Sequence, residues 1–157
     1  MIPIRRTHPS EAPAVTRVIN SAFRPAEEFF VDGDRISVAE TRKYFEKGAF
    51  LVAGEFAGVV YVELRGSRAY FGLLSVDPNR QGEGIGRALI AAAEDFARDN
   101  GCFYMDINVV NLRTELPPMY RKLGYVEVGT LPWPDGVPSK LPCHFVQMEK
   151  DLAASDE

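Results

Sequence analysis

Apolar residues along this chain switch between alternating and helical spacing, and the switches divide it into elements. Residues 2–6 alternate and predict a short strand. Pro9-Ser10-Glu11 then opens a helix with Val15, Val18, Ile19, Ala22 and Phe23 on one face, and Arg24-Pro25 is its expected end. Residues 24–35 set Glu27, Glu28, Asp32 and Asp34 beside Phe29 and Phe30, which predicts a loop with room for one helical turn. A second amphipathic helix covers 37–47, closed by Gly48. Strands follow at 49–53, 58–64 and 69–76, the last two joined by a tight hairpin with Gly66-Ser67 as its loop. A helix with Ile85, Leu89, Ala92, Ala93 and Phe96 on one face ends at Asn100-Gly101. A strand at 102–110, a loop at 111–114 and a short helix at 115–123 come next, with proline tolerated in that helix's first turn. Residues 125–130 and 144–148 predict two final strands around a Pro-rich loop at 131–141 that holds Trp133 and Asp135. Residues 1–152 read as one domain, and 153–157 as a frayed tail.

The resulting order is β-α-α-β-β-β-α-β-α-β-β, an antiparallel meander passing into one parallel crossover between the strands at 69–76 and 102–110. That is an α+β (mixed α/β) fold rather than a doubly wound one. Between those two strands lies the most informative stretch, with Gly82, Gly84 and Gly86 at alternate positions just before a helix. Glycines let a backbone approach a ligand closely, and the first turn of a helix leaves N–H groups unpaired. Strand, glycine loop and helix in that order form a cradle for phosphate. No lysine or hydroxyl follows Gly86, so this is not the loop of an ATPase or GTPase. A dinucleotide fingerprint needs a third glycine where Arg87 stands, and its acidic residue would be Asp106, which sits inside a strand.

The totals narrow the classes further. The 157 residues are 46% hydrophobic and 25% charged with a net charge of -4, and no basic run marks a nucleic-acid binder. Apolar runs are too short to span a bilayer, and the N-terminus lacks the apolar core of a signal peptide. Cys102 and Cys143 form no disulfide or metal pattern, so the cytoplasm is the expected compartment. His144 beside Cys143 is no dyad, because neighbouring strand residues point to opposite faces.

Val76-Asp-Pro-Asn-Arg-Gln-Gly-Glu-Gly-Ile-Gly-Arg-Ala-Leu89 resembles the acyl-CoA-binding signature of the GNAT N-acetyltransferase superfamily. That signature reads Gln/Arg-x-x-Gly-x-Gly/Ala, here Gln81, Gly84 and Gly86. Met119-Tyr-Arg-Lys-Leu-Gly-Tyr125 resembles a second family segment, Tyr-x-Lys-Leu-Gly-Phe. The resemblance implies a central, mostly antiparallel sheet of about seven strands flanked by about four helices. It also implies acetyl-CoA as donor and an amine as acceptor.

By this resemblance, backbone N–H groups of Gln81, Gly82, Glu83, Gly84, Ile85 and Gly86 would hold the CoA pyrophosphate, reinforced by the Gln81 and Arg87 side chains. The pantetheine arm would pair like an added strand with the backbone of Leu74, Ser75 and Val76, where the strands ending at Val76 and Val110 splay apart. The Leu74 backbone N–H would face the thioester oxygen, Tyr120 would be the acid, and Asn111 would touch the pantetheine region. The Asn111–Tyr120 gap is longer than in the common family pattern and contains Pro117-Pro118.

The base stays open. The strand at 69–76 carries no acid, but the hairpin sets Glu63 opposite Tyr70, and strict alternation would place Tyr70, Gly72, Leu74 and Val76 on Glu63's face. Asp106, or an amine that arrives neutral, is the alternative. Segments 24–35, 111–117 and 131–141 are expected to line the acceptor side. There Glu27, Glu28, Asp32, Asp34 and Asp135 would suit a cationic amine, Phe29, Phe30 and Trp133 would form a wall, and Arg113 and Glu115 would either meet substrate or pair together. Acceptors in play are small amines, amino acids, antibiotics and peptide amines. A longer acyl donor, a non-catalytic acyl-CoA-binding module and a homodimer through an edge strand remain alternatives.

Overall fold

The computed structural model describes residues 2–153; part of the predicted tail, 154–157, lies outside them. Strands β1 (Ile4–Arg6), β2 (Ala49–Ala53), β3 (Gly58–Arg65), β4 (Arg68–Val76), β5 (Tyr104–Val110), β6 (Val126–Pro132) and β7 (His144–Asp151) form one sheet in the order β1-β2-β3-β4-β5-β7-β6. Only β4 and β5 run parallel; every other pair is antiparallel. Helices α1 (Ala12–Glu27), α2 (Val38–Lys47), α3 (Ile85–Asp99) and α4 (Leu116–Lys122) complete the predicted α+β order. Gly66-Ser67 is the hairpin loop, with Arg65 paired to Arg68.

The continuous apolar runs of β2 and β3 are explained by cover on both faces. Phe50, Val52, Val59 and Tyr61 pack with Val15, Val18 and Ile19 of α1. Leu51, Ala53, Val60 and Val62 pack with Ile85, Leu89, Ile90 and Ala93 of α3. Ser37 caps α2 reciprocally with Glu40, which fixes where that helix starts. Glu94 of α3 is buried, and its carboxylate accepts from the Tyr125 hydroxyl at 2.8 Å and from Lys150 at 3.0 Å. Leu89 is fully buried in the α3 layer. Leu89→Ala is expected to cost about 2–5 kcal/mol, read as a lower midpoint in urea with an unchanged slope. Among the described residues no helix is long and apolar enough to cross a membrane.

Three features depart from the sequence reading. Helix α1 continues through Pro25 to Glu27. The proline forfeits only its own N–H bond, and Glu28 N–H still reaches the Arg24 carbonyl at 3.0 Å, so the last turn holds. Strands β6 and β7 are also longer than predicted, reaching Pro132 and Asp151.

The third departure is a bulge. Gly58 pairs with Val76 and Val59 with Ser75, yet Tyr61 pairs with Gly72, so Leu73 and Leu74 together stand against Val60. Leu73 takes a positive φ of 54°, its side chain is buried, and the Ser75 hydroxyl bonds its carbonyl at 2.9 Å. The extra residue breaks the alternation. Tyr70 and Leu73 face the α1 layer, whereas Leu74 and Val76 face the α3 layer. The expectation that Glu63 shares a face with Leu74 and Val76 is therefore corrected: of the four residues expected with it, Tyr70 and Gly72 share its face and the other two do not.

Candidate active site

The bulge lies where the sheet opens. Strands β4 and β5 pair only from Arg68–Tyr104 to Tyr70–Asp106, although β4 runs on to Val76 and β5 to Val110. A cavity of about 510 Å³ occupies the gap. Its lining joins β4 residues 71–74 and 76, β5 residues 107–110, the glycine loop and the ends of α1 and α4.

One end of the cavity is the glycine loop. Asp77 fixes its start by donating its N–H to the Ala57 carbonyl and accepting from Asn79 N–H, both at 2.9 Å. Gly82 and Gly84 take φ of 86° and 81°, a region costly for any residue with a Cβ. A Cβ placed on either meets nothing within 4 Å, so the space above the loop is open. At Gly86 it would meet Val76 at an ordinary 3.6 Å, which accounts for a place where glycine or alanine serves. None of the backbone N–H groups from Gln81 to Arg87 finds an acceptor among the described residues. This row of donors at the positive end of a 15-residue helix suits an anion with several oxygens. Arg87 lines the cavity with no ion pair among the described residues, while Arg80 is engaged by Glu83 at 2.9 Å.

Tyr120 stands at the centre. Helix α4 starts on its two prolines and ends before Gly124, whose φ of 100° turns the chain back into β6. The ring of Tyr120 packs between Phe71 and Tyr125, at centroid distances of 6.1 and 5.8 Å. The residue is 6% exposed, and its hydroxyl bonds to no described group. Among the described residues no buried side-chain polar atom lacks a partner, so that oxygen opens onto the cavity that Tyr120 lines. Burial pushes the phenol up to about 12, against a smaller opposing pull from Arg113. Tyr120 is thus a proton donor throughout the neutral range. Tyr70 also lines the cavity; a Cβ on Gly72 would collide with its hydroxyl, so the glycine leaves room for that ring.

The far end joins the segments expected there. Trp133 stacks on Phe145 at 5.3 Å and meets Phe30 edge-on at 6.3 Å. Lys140 N–H bonds the Phe30 carbonyl at 2.7 Å, tying the Pro-rich loop to the α1–α2 loop. Phe23, Tyr44, Tyr61 and Tyr70 supply aromatic surface. Glu27 is the carboxylate that lines the cavity, with a side chain 13% exposed and Arg113 at 3.2 Å. Burial raises its pKa, opposed by Arg113 and Arg35. Arg113 also holds Glu115 at 2.9 Å, so these two do pair.

Of the residues expected in the site, Tyr120, Leu74, Val76, Gln81, Gly82, Gly84, Ile85, Gly86 and Arg87 line the cavity. Four side chains do not. Glu63 accepts from the Tyr61 hydroxyl at 2.6 Å and from Arg65, and these contacts lower its pKa despite opposing desolvation. Ser75 is buried with its hydroxyl on Leu73, and Glu83 turns to Arg80. Asn111 Oδ1 accepts the His144 N–H at 2.8 Å, pinning β5 to β7. Asp106, the alternative base, is held by Arg68 through Nε at 2.8 Å and lies outside this cavity. Sequence reasoning did not name Tyr44, Tyr61 or Phe145 for the site, and it reached Arg35 only within the segment 24–35 and Tyr70 only opposite Glu63; all five line the cavity. Gly72 was the available signal, since an isolated glycine within a strand marks a bulge or a close approach.

Comparison with known proteins agrees with this geometry. Residues 46–127 match the acetyltransferase (GNAT) domain. Streptothricin acetyltransferase of Streptomyces lavendulae is 32% identical over 98 residues, which are 62% of this chain and 51% of that protein. Mycothiol acetyltransferase of Clavibacter sepedonicus is 30% identical over 96 residues, 59% of this chain and 30% of that one. The matched segments thus span about half or less of these relatives. The ribosomal-protein-S18-alanine N-acetyltransferase from Escherichia coli shares the fold at a TM-score of 0.79 and 18% identity, covering 100% of this chain and 97% of its own. So does yncA from Salmonella typhimurium, solved with acetyl-CoA, at a TM-score of 0.73 and 18% identity with the same coverage. With its two sequence motifs, its split sheet and a domain match over more than half its length, the chain belongs to the GNAT acetyltransferase family.

Proposed function

We propose that this protein transfers the acetyl group of acetyl-CoA to an amine by direct attack within a ternary complex. One observation carries the reading: a row of unpaired N–H donors and an unbonded phenol open onto the same cavity. The residues present fit acetyl-CoA. Backbone N–H groups of 81–87 would hold its pyrophosphate, with Gln81 and Arg87 beside them. The β4 edge left unpaired past Tyr70 would take the pantetheine as an added strand, on the backbone of Leu74 and Val76. Acetyl-CoA bound there supplies an activated acyl group on a thiol that can leave.

The chain's own groups then divide the work. The Leu74 backbone N–H at the bulge donates to the carbonyl oxygen as negative charge grows on it. Tyr120 donates a proton to the departing sulfur. Glu27 holds the incoming ammonium and accepts its proton; it is the carboxylate that lines the cavity, where burial raises its pKa against the pull of Arg113, whereas Glu63 and Asp106 lie outside that cavity.

Initial-rate kinetics test the reading. Intersecting double-reciprocal lines for acetyl-CoA and amine are expected, and parallel lines would replace the ternary complex with an acyl-enzyme. The pH profile tests Tyr120 separately. Because burial holds its phenol up at about 12, kcat should rise as Glu27 loses its proton and show no alkaline fall below about pH 10. A fall between pH 8 and 9 that disappears in Tyr120→Phe would keep Tyr120 as the acid and contradict its raised pKa, whereas a kcat unchanged by Tyr120→Phe across the range would contradict the assignment.

A further inference from the structure

The acceptor half of the cavity carries a charge pattern that narrows the amine. Among the described residues, the charged side chains that line the cavity away from the glycine loop, with its Arg80 and Arg87, are Glu27, Arg35 and Arg113. Two guanidiniums against one carboxylate are a poor host for a polycation. Arg113 is already matched, by Glu27 at 3.2 Å and Glu115 at 2.9 Å. Arg35 is different: among the described residues it has no ion pair and no side-chain hydrogen bond, and its guanidinium lies 5.8 Å from the Phe23 ring centroid.

The backbone beside Arg35 is nevertheless held in place. The Asn20 amide donates to the Ile36 carbonyl at 2.8 Å and accepts the Ile36 N–H at 3.0 Å. On the other side, Asp34 is ion-paired with Arg24 of α1. Ser37 follows as the cap of α2. A loop pinned on both sides therefore presents one uncommitted guanidinium to a cavity whose walls are Phe23, Tyr44, Tyr61 and Tyr70. Its charge acts on the interior, opposing the rise in pKa of both Glu27 and Tyr70.

Building on the acetyl-transfer reading, we infer that the acceptor is an α-amino acid with an apolar side chain, its carboxylate held by Arg35, its ammonium by Glu27 and its side chain by the aromatic wall. Guanidinium and carboxylate match in planar geometry, which makes arginine the suited residue for this contact. In the reaction the acceptor nitrogen bonds to the acetyl carbon and the carbon–sulfur bond breaks. The products are the N-acetyl amino acid, the CoA thiol and one proton released to solvent.

The test is thiol release from acetyl-CoA with leucine, methionine, phenylalanine and tryptophan, each beside its carboxamide, and with spermidine. At least one free amino acid should exceed its carboxamide by about tenfold or more in kcat/KM, and spermidine should be poorer still. Arg35→Ala should erase the preference for acid over amide by raising KM, and Arg35→Lys should restore part of it, with acetyl-CoA affinity unchanged. Carboxamides or spermidine matching the amino acids, or a preference that survives Arg35→Ala, would overturn the inference. Calorimetry of the same amino acids into CoA-saturated protein needs no turnover. Binding that Arg35→Ala weakens about tenfold supports the carboxylate site, and no binding of any of them refutes it, even if the acetyl-transfer reading itself fails for want of thiol release.

Discussion

Tyr120→Phe is expected to lower kcat by about 100-fold or more while acetyl-CoA affinity stays within about twofold. The substitution removes one oxygen and leaves the ring between Phe71 and Tyr125. That oxygen bonds to no described group, so its loss orphans nothing and stability should change by less than about 0.5 kcal/mol. Both kcat and kcat/KM should fall together, the mark of an interaction made in the transition state. Tyr125→Phe is the informative contrast. Its hydroxyl bonds buried Glu94 at 2.8 Å, so that variant should lose about 1–3 kcal/mol of stability and keep its turnover. Unchanged turnover of Tyr120→Phe at saturating substrates would remove Tyr120 from the mechanism.

Gly84→Val should weaken acetyl-CoA binding by about 100-fold or more. At a φ of 81° a β-branched residue is strained by about 1–3 kcal/mol, and its side chain would occupy the open space over the donors. Two further variants separate these effects. Gly101→Ala puts a comparable strain, at a φ of 80°, at the far end of α3, so it should lower Tm and leave binding intact. Gly86→Ala meets only Val76 at 3.6 Å and should bind within about threefold of the wild type. Calorimetry on folded Gly84→Val that returns the wild-type affinity would show that the cradle lies elsewhere.

Much of the architecture was legible in the sequence because its signals are local. Period changes, Gly66-Ser67, the Ser37 cap and the glycine loop each report on a few neighbouring residues, and together they order every element correctly. The lining of the cavity was legible where it rests on such signals, in the glycine loop and at Tyr120. What was missed depends on non-local balance. Pro25 breaks most helices, yet here only one hydrogen bond is forfeited and the Glu28 N–H still bonds the Arg24 carbonyl, so the last turn with Ala26 and Glu27 forms. Leu73 gives no warning of a positive φ, since its strain is offset by burial and by the Ser75 hydroxyl. That one residue inverts the faces of β4 beyond Gly72, which is why Glu63 was expected near Leu74. Arg35 has no motif; only the fold brings it to the cavity from the α1–α2 loop.

Release of free CoA thiol from acetyl-CoA, followed with and without amines, is the most direct test that the cavity carries out acetyl transfer. The account predicts amine-dependent release that saturates in both substrates and is abolished when acetyl-CoA binding is blocked at Gly84. Tight acetyl-CoA binding with no amine-dependent release from any acceptor would contradict it and leave a cradle that binds the donor without using it.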